Sequence, residues 1–384
     1  MKKVIFVSVS PLTSNLQRFL RLPSLASKGF PFEYWDLSDV FFKKLKLTKQ
    51  VQADYVREFD SLAEFETAVS QTDLGSTFFD LQFAAEFRYR RVFFLIKKYG
   101  CRQIYFSCDY PSPTPKTFKK FLLHLKSPKR LLSGFFERLL LFIYHKKGAF
   151  KSPELVFAMG PSSVCYSGEK TKVIKINFMD YDDFLNSQNK TSDFDGRQYC
   201  VFLDQGLAGH PDQPTRGVKG VSSDIYFGTM NRFFDLIEKK CNTNVVIALS
   251  PKAQYKQNFF GGRECHKDKT NELVKNALFV ISHASLSMDY AVVYNKPVLF
   301  VYESEIIKYC RHPFAQTIEY MKCFARELHM PVINIGHVSS DDQIVLPKVN
   351  GQVYNNYKYK YMTWPETENT PSDSIILQTL QNAV

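Results

Sequence analysis

Apolar and polar positions follow their clearest pattern in residues 276–301, NALFVISHASLSMDYAVVYNKPVLFV. Two apolar, β-prone runs, at residues 278–281 and 298–301, flank a turn of small polar residues and a stretch of helical character. Apolar strands joined through a short helix predict a parallel β-α-β unit that is buried on both faces. Because ligands bind at the carboxyl ends of the strands in such units, the polar turn is a candidate binding site.

The same alternation of strand and helix signals continues on both sides of this unit. Strand-like runs occur at residues 4–9, 32–37, 103–107, 154–159, 172–176, 199–203, 244–249 and 332–335. Helix-like periodicity occurs at residues 16–22, 79–98, 224–240, 270–275, 287–294, 314–328 and 372–380. Strands that alternate with helices indicate an α/β fold.

The domain organisation is predicted from composition along the chain. Residues 180–197 are polar and rich in Asn, Ser and Asp, which is typical of a linker. We therefore predict an N-terminal domain at residues 1–185 and a C-terminal domain at residues 198–370. A terminal helix at residues 371–384 is expected to pack back on the N-terminal domain.

Charge and cysteine usage narrow the class of protein. The 384 residues carry a net charge of +12, which predicts acidic partners such as anionic lipid, phosphorylated ligands or nucleic acid. The eight cysteines include no CxxC pair, which argues against a zinc ribbon or a thioredoxin-type site and favours a reducing compartment. The short, serine-interrupted apolar start predicts a strand rather than a signal peptide. No apolar run approaches the ~20 residues of a membrane span.

The basic charge is concentrated in residues 116–151, where ten basic residues face a single acid and alternate with aromatic and aliphatic residues. Basic amphipathic helices of this kind lie on anionic lipid. The membrane-surface prediction names Lys119, Lys120, Lys126, Lys129 and Arg130. The alternative is a pair of helices whose apolar stripe belongs to the domain core and whose lysines face solvent. Nucleic-acid binding is disfavoured because no recognised binding motif accompanies the charge.

Polar side chains that could carry chemistry follow the strands of the second half. They are Asp204, Gln205, His210, Lys252, Arg263, Lys269, Thr270, His283, Ser285 and Ser287. Parallel strands would bring such residues to one edge of a sheet. One carboxylate, several cations and small hydroxyls together suit a phosphate-bearing ligand and a carboxylate that acts as base or nucleophile.

Each of these residues also has a purely structural alternative. Asp204 is either catalytic or a turn-forming Asp that bonds the backbone. His210 is an acid/base or a loop histidine. His283 either acts in the site or holds Ser285 or a backbone carbonyl.

Two further pairs of residues have both a ligand-binding and a structural interpretation. Ser285 and Ser287 either contact a phosphate or cap the helix that follows, and one role does not exclude the other. Lys252 and Arg263 either bind the ligand or belong to a solvated surface. A metal site is disfavoured because the histidines lack the spacing of metal ligands.

Several short motifs of the second half together resemble those of bacterial glycosyltransferases of lipopolysaccharide, O-antigen and capsule synthesis. They are VFLDQ at residues 201–205 followed by His210-Pro211-Asp212, IALSPKAQY at 247–255, Gly261-Gly262-Arg263, Lys269-Thr270 and HASLSMDYAVVYNKPVL at 283–299. The resemblance covers roughly residues 199–301, and the first half matches in general shape alone. Two departures are Ser250 where the family often has His, and Ala284, which shifts the hydroxyls after the turn histidine.

The resemblance implies an α/β fold of GT-B type, with two Rossmann-like domains facing across a cleft and the donor nucleotide mostly on the second. It is greatest to the retaining β-Kdo transferases that use CMP-Kdo. By this resemblance the turn at residues 283–287 binds the CMP phosphate, with Lys252 and Arg263 nearby. The resemblance to retaining transferases predicts that Asp204 acts as a nucleophile with retention, and a base role with inversion is the alternative. His210 or His283 is expected to assist proton transfer. Neither a metal nor another cofactor is implied.

The partners implied by the resemblance are a nucleotide sugar and a lipid-linked glycan acceptor. With the basic segment, this predicts a cytoplasmic protein that is peripheral on the inner face of the bacterial inner membrane. Two alternatives stay open. One is a GT-B transferase for a UDP- or GDP-hexose, or an epimerase of related fold. The other is a non-catalytic scaffold in a polysaccharide assembly complex.

Overall fold

The computed structural model describes residues 2–43, 51–107, 140, 152–164, 171–208, 220–251, 253, 255, 257–310 and 316–383. The described residues form two compact units. The first contains residues 2–43, 51–107, 140, 152–164, 171–179 and 363–383, and the second contains the described residues between 180 and 362. The chain therefore enters the second unit after Met179 and returns to the first after Met362.

The first unit contains a seven-stranded parallel sheet with helices on both faces. Its elements in chain order are β1 (Lys3–Ser8), α1 (Ser14–Phe19), α2 (Leu22–Ser27), β2 (Phe32–Asp36), α3 (Ser38–Phe42), β3 (Val56–Glu58), α4 (Leu62–Ser70), β4 (Thr77–Leu81), α5 (Arg90–Lys98), β5 (Arg102–Phe106), β6 (Leu155–Met159) and β7 (Lys172–Ile176). The strand order is β3-β2-β1-β4-β5-β6-β7.

Strand β1 shows why its sequence is a continuous apolar run. Val4 and Phe6 belong to the core on one face of the sheet, and Ile5 and Val7 belong to the core on the other. Successive side chains of a strand point to opposite faces, so a sheet covered on both sides needs apolar residues at every position.

The second unit repeats this architecture with six parallel strands in the order β10-β9-β8-β11-β12-β13. Its elements in chain order are α6 (Met179–Ser187), which begins at the crossing, β8 (Tyr199–Leu203), α7 (Ser223–Cys241), β9 (Asn244–Leu249), β10 (Cys265–Lys267), α8 (Thr270–Asn276), β11 (Val280–Ser282), α9 (Asp289–Val293), β12 (Val298–Tyr302), α10 (Ser304–Tyr309), α11 (Thr317–Leu328), β13 (Val332–Asn334) and α12 (Gly351–Tyr361). A last helix, α13 (Ser372–Asn382), follows the return to the first unit.

Both sheets reverse their strand order beside the first strand of the unit. In the first unit β1 lies between β2 and β4, and in the second β8 lies between β9 and β11. The connections on the two sides of such a strand run to opposite faces of the sheet, which opens a crevice outside the carboxyl ends of the strands. The β8/β11 pair is therefore the position at which a ligand of the second unit is expected.

Helix α13 completes the hydrophobic core of the first unit. Ile376 and Leu380 are fully buried in the same cluster as Val4 and Phe6 of β1. The polar anchor is Asn177, whose side chain donates to the carbonyls of Thr367 and Thr370 and accepts from two threonine hydroxyls.

The predicted α/β fold with two Rossmann-like domains is confirmed, and the parallel pairing of residues 280–282 with 298–300 confirms the β-α-β unit. Two local predictions are wrong. Residues 79–81 belong to central strand β4 rather than to a helix, because both faces of this strand are covered and its apolar residues need no helical period. Residues 180–187 of the predicted linker belong to helix α6, in which Tyr181 is buried. No helix among the described residues is both long and apolar enough to cross a bilayer.

Candidate functional site

The crevice of the second unit is formed by the turns that follow β8 and β11. Leu203 of β8 pairs with Ser282 of β11, so Asp204-Gln205 and His283-Ala284 leave the sheet side by side. The side-chain carbonyl of Gln205 accepts a hydrogen bond of 3.0 Å from the backbone amide of Ala284. This bond ties the two turns together across the switch point of the sheet.

Asp204 is the charged group at the centre of the crevice. Its side chain is 4% exposed, and its carboxylate accepts from the amide of Gly206 at 3.0 Å and from the amide of Ser250 at 3.2 Å. It therefore fixes the loops after β8 and β9 simultaneously. Burial raises the pKa of Asp204, while the hydrogen bonds from Gly206, Ser250 and Tyr255 oppose that rise.

Tyr255 is a residue of the site that the sequence reasoning missed. Its hydroxyl donates to both carboxylate oxygens of Asp204, at 3.0 and 3.1 Å. Its ring packs edge-on against Phe227, Phe259 and Phe260, with centroids 5.7 to 6.0 Å apart. Burial raises the pKa of Tyr255, so the phenol keeps its proton and remains a donor. The available signal in the sequence was the cluster of aromatic residues at 255–260, which begins six residues after the end of β9.

His283 is fully buried and has both ring nitrogens occupied. Nε2 lies 2.9 Å from the hydroxyl of Tyr226, and Nδ1 is hydrogen-bonded to the carbonyl of Val301. A carbonyl only accepts, so Nδ1 carries the proton and Nε2 accepts from Tyr226. Burial lowers the pKa of His283 to about 4, which leaves the imidazole neutral at pH 7. Of the roles predicted for this residue, holding a backbone carbonyl is the one that the geometry displays.

Ser285 and Ser287 lie at the mouth of the same turn and are half-buried. The amide of Ser285 donates to the hydroxyl of Ser282, and the Ser285 side chain makes no capping bond to the turn of 3₁₀-helix at Leu286–Met288. Helix α9 begins directly after this turn. The arrangement brings two hydroxyls to the mouth of the crevice beside the Gln205–Ala284 bond.

Lys269 and Thr270 lie at the carboxyl edge of the sheet but on its outermost strand. Lys269 follows β10, which is separated from β8 by β9, so roughly 10 Å of sheet lies between Lys269 and Asp204. The Lys269 ammonium is 3.6 Å from a carboxylate oxygen of Asp193 and lies over the ring of Phe194. Thr270 is the first residue of α8.

Arg263 is not brought to the crevice. It precedes β10, which runs parallel to β9, so it lies at the amino edge of the sheet, opposite to Asp204. Its guanidinium bonds both carboxylate oxygens of Glu238 and one oxygen of Asp235, at 2.5 to 3.0 Å, and its side chain is 9% exposed. Both its place at the amino edge and its ion pairs with Glu238 and Asp235 separate Arg263 from the donor-binding role predicted for it. The sequence pattern placed Arg263 near a strand but did not show at which end of that strand it lies.

Seven predicted residues lie outside the described part of the chain. They are His210, Lys252, Lys119, Lys120, Lys126, Lys129 and Arg130. Within the described residues no group of three or more His, Cys, Asp or Glu side chains has the arrangement of a metal site.

Comparison with known proteins gives structural similarities alone, since no protein-family model and no curated protein matches the sequence. The wall teichoic acid polymerase TagF superposes with a TM-score of 0.48 and 10% identity, covering 99% of this chain and 89% of that chain. The S. aureus MnaA–UDP complex superposes with a TM-score of 0.43 and 11% identity, covering 100% of this chain and 98% of that chain. The spinosyn forosaminyltransferase SpnP superposes with a TM-score of 0.42 and 14% identity, covering 100% of this chain and 95% of that chain.

Proposed function

We propose that this protein is a glycosyltransferase that takes a sugar from a nucleotide donor bound at the β8/β11 crevice. The observation that carries the proposal is the joined pair of turns, in which Gln205 holds the amide of Ala284 beside the buried carboxylate of Asp204. A switch-point crevice of this kind suits a nucleotide, and the half-buried hydroxyls of Ser285 and Ser287 at its mouth can donate to phosphate oxygens. The motifs at residues 199–301 resemble those of bacterial surface-polysaccharide glycosyltransferases and support the same reading.

The geometry favours a base or positioning role for Asp204 over a nucleophilic one. A nucleophile needs a carboxylate oxygen open to the anomeric carbon, whereas Gly206, Ser250 and Tyr255 all donate to this carboxylate. A base likewise needs a free lone pair, so the Tyr255 hydroxyl would have to give way to the acceptor hydroxyl; the raised pKa of Asp204 then makes the carboxylate a stronger base than an ordinary aspartate. A base gives inversion at the anomeric carbon, and a nucleophile would give retention through a glycosyl-enzyme intermediate.

Two donors are compatible with this site. The motif resemblance supports CMP-Kdo, whose sugar carboxylate calls for a cation. The position of Arg263 at the opposite edge of the sheet removes one predicted cation and favours the alternative, a UDP- or GDP-hexose without a carboxylate, used by a transferase or an epimerase. For both donors we propose that the residues named above bind the nucleotide sugar without acting as metal ligands. The acceptor that fits the basic segment 116–151 is a glycan on a lipid carrier.

Thermal unfolding with CMP, UDP and GDP in parallel, each at millimolar concentration, is the first test. A ligand at about 100 times its dissociation constant adds roughly 2.7 kcal/mol to the stability of the native state, which a melting curve resolves. Stabilisation by CMP alone supports the ulosonic-acid donor, and stabilisation by UDP or GDP supports the hexose. The absence of stabilisation by all three would favour a non-catalytic scaffold.

The second test concerns Asp204 itself. Asp204→Asn keeps the shape of the side chain but supplies a poor base and no nucleophile. In the enzyme we expect loss of sugar transfer by two orders of magnitude or more, with nucleotide binding retained. Mass spectrometry of the wild-type protein with donor alone detects a sugar adduct on Asp204 if the carboxylate is a nucleophile. NMR of the product gives the anomeric configuration independently.

A further inference from the structure

A separate cavity lies between helices α11 and α12 of the second unit. Its volume is about 380 Å³, within the range of small-molecule sites. The residues that line it are Arg326, Glu327, His329, Val353, Asn356, Tyr357 and Lys360. Three of these side chains carry a charge, His329 adds an imidazole and Asn356 an amide, and Val353 with the Tyr357 ring supplies an apolar wall.

The cavity is on the opposite side of the sheet from the β8/β11 crevice. Helix α11 ends at Leu328 and leads directly into the amino end of β13. Tyr354 of α12 donates to the carbonyl of Lys296, which precedes β12 and so marks the same amino edge. The crevice lies at the carboxyl edge, so a ligand in the cavity would not occupy the proposed donor site.

The donors that line the cavity are not used up by the protein. A guanidinium nitrogen of Arg326 donates to the sulfur of Cys323 at 3.5 Å, and a thiol is a weak acceptor. Asn356 accepts from Gln352 through its oxygen, which leaves the amide hydrogens directed elsewhere. The Lys360 ammonium donates to both carboxylate oxygens of Glu327, at 3.1 and 2.9 Å. This ion pair holds one donor, Lys360, and one acceptor, Glu327, at the rim of the cavity.

His329 is held at the rim by an unusual backbone conformation. It closes α11 with φ +54° and ψ +41°, the left-handed region, and its amide bonds the carbonyls of Ala325 and Arg326. Glycine or asparagine is the usual residue at such a position, and Asn242 occupies the equivalent position at the end of α7. A histidine there is strained, and it adds an exposed imidazole to the cavity.

We propose that this cavity is a second saccharide site that binds an acidic sugar residue, bearing a carboxylate or a phosphate, of an anionic glycan. Arg326, with His329 beside it, receives the anion, and guanidinium pairs with both groups through parallel hydrogen bonds. Asn356 and the Glu327–Lys360 pair bond sugar hydroxyls, and the wall of Val353 and Tyr357 contacts the sugar C–H groups. The site goes beyond the proposed transfer reaction, because it would hold a glycan away from the reacting carbon.

Direct binding tests this site on the full chain, without any assay of transfer. The probes are glucuronate, glucose 6-phosphate, neutral glucose and inorganic phosphate, each titrated to 10 mM by saturation-transfer NMR or calorimetry. We expect the acidic sugars to bind with dissociation constants of about 1 mM. Glucuronate carries a carboxylate and glucose 6-phosphate carries a phosphate, so comparison of the two shows which anionic group the cavity prefers. Equal binding of inorganic phosphate, or no binding of either acidic sugar, would overturn the proposal.

Variants then assign the binding to this cavity. Arg326→Ala should weaken binding about tenfold or more, whereas Lys322→Ala, an exposed cation on the same helix, should not change it. His329→Gly separates binding from folding: glycine suits the left-handed conformation, so the unfolding temperature should rise while binding weakens. Unchanged binding of the acidic sugars in Arg326→Ala would instead place them outside this cavity and contradict a second site.

Discussion

At the scale of single residues, the most informative groups are two buried ionisable side chains with opposite pKa shifts. His283 in the second unit has its pKa lowered to about 4, and Asp80 in the first unit has its pKa raised to about 8. In both, burial disfavours the charged form. Each makes the free energy of unfolding depend on pH, and the two dependences have opposite signs.

The His283 prediction concerns mildly acidic pH. The unfolded state binds a proton near pH 6.5 and the folded state only near pH 4, so the stability due to His283 is complete above pH 6.5 and is lost as the pH falls towards 4. The shift corresponds to roughly 3 kcal/mol. His283→Gln, which does not titrate, should show a flatter stability curve than wild type between these pH values, as measured by urea unfolding. Parallel curves would show that His283 does not titrate as described.

Asp80 gives the converse prediction. It is fully buried in central strand β4, where one carboxylate oxygen accepts from the Gln82 amide and the Phe106 backbone and the other, Oδ1, has no hydrogen-bond partner. The folded pKa exceeds the unfolded value, so stability is complete below about pH 4 and falls as the pH rises to 8.

Asp80→Asn removes the ionisable group at nearly constant size. We expect the variant to gain stability relative to wild type as the pH rises from 4 to 8, by up to about 1.4 kcal/mol per pH unit. Asp73→Asn, at an exposed carboxylate before the same strand, is the matched control and should show no such gain over this range. A pH-independent difference for Asp80→Asn would mean that Asp80 is charged in the folded protein.

At the scale of elements, Arg263 joins the segment before β10 to helix α7. Arg263→Ala leaves Glu238 and Asp235 without this cation, and we expect a loss of about 1–3 kcal/mol in the free energy of unfolding. Nucleotide affinity should not change, because Arg263 lies at the opposite edge of the sheet. Arg232→Ala, at an exposed position of α7, is the control for charge. A selective loss of nucleotide binding in Arg263→Ala would restore its predicted role at the donor.

Helix α13 is attached to the first unit through Asn177. The Asn177 side chain donates to the carbonyls of Thr367 and Thr370, and its backbone amide donates to the hydroxyl of Ser372. Asn177→Asp would set a buried carboxylate against both carbonyls, so we expect a loss of roughly 3 kcal/mol or more. Hydrogen exchange in residues 372–382 should accelerate. Asn382→Asp, at an exposed position of the same helix, should leave exchange unchanged.

At the scale of the whole molecule, the net charge of +12 is the main lead to a partner. If residues 116–151 bind anionic lipid, changing six of their lysines to Glu should abolish binding to phosphatidylglycerol vesicles, since each basic residue near such a surface contributes about 1 kcal/mol. A control with Glu at Lys2, Lys28, Lys172, Lys190, Lys240 and Lys348 has the same net charge and should still bind. Equal binding of wild type and the first variant would contradict the membrane prediction.

The limits of prediction from the sequence are visible in particular residues. Asp204 and His283 were identified because each directly follows an apolar strand, and parallel strands bring such positions to one edge. Tyr255 was missed because its partner Asp204 is 51 positions away, and no local pattern encodes that distance. Arg263 was misplaced because three-residue strand β10 is too short to show a period, so the sequence did not reveal which end of the strand Arg263 occupies.

The sequence by itself determined the architecture of this protein. Continuous apolar runs alternating with amphipathic stretches can bury their side chains only as parallel strands covered by helices, and that requirement is local. The tertiary structure alone decided which polar residues are free to act. His283 is neutral because the fold buries it completely, and the backbone amide of Asn177 reaches Ser372 of α13 across 195 positions of the chain. Burial and hydrogen bonding set the charge of a side chain, and both depend on residues that are distant in sequence.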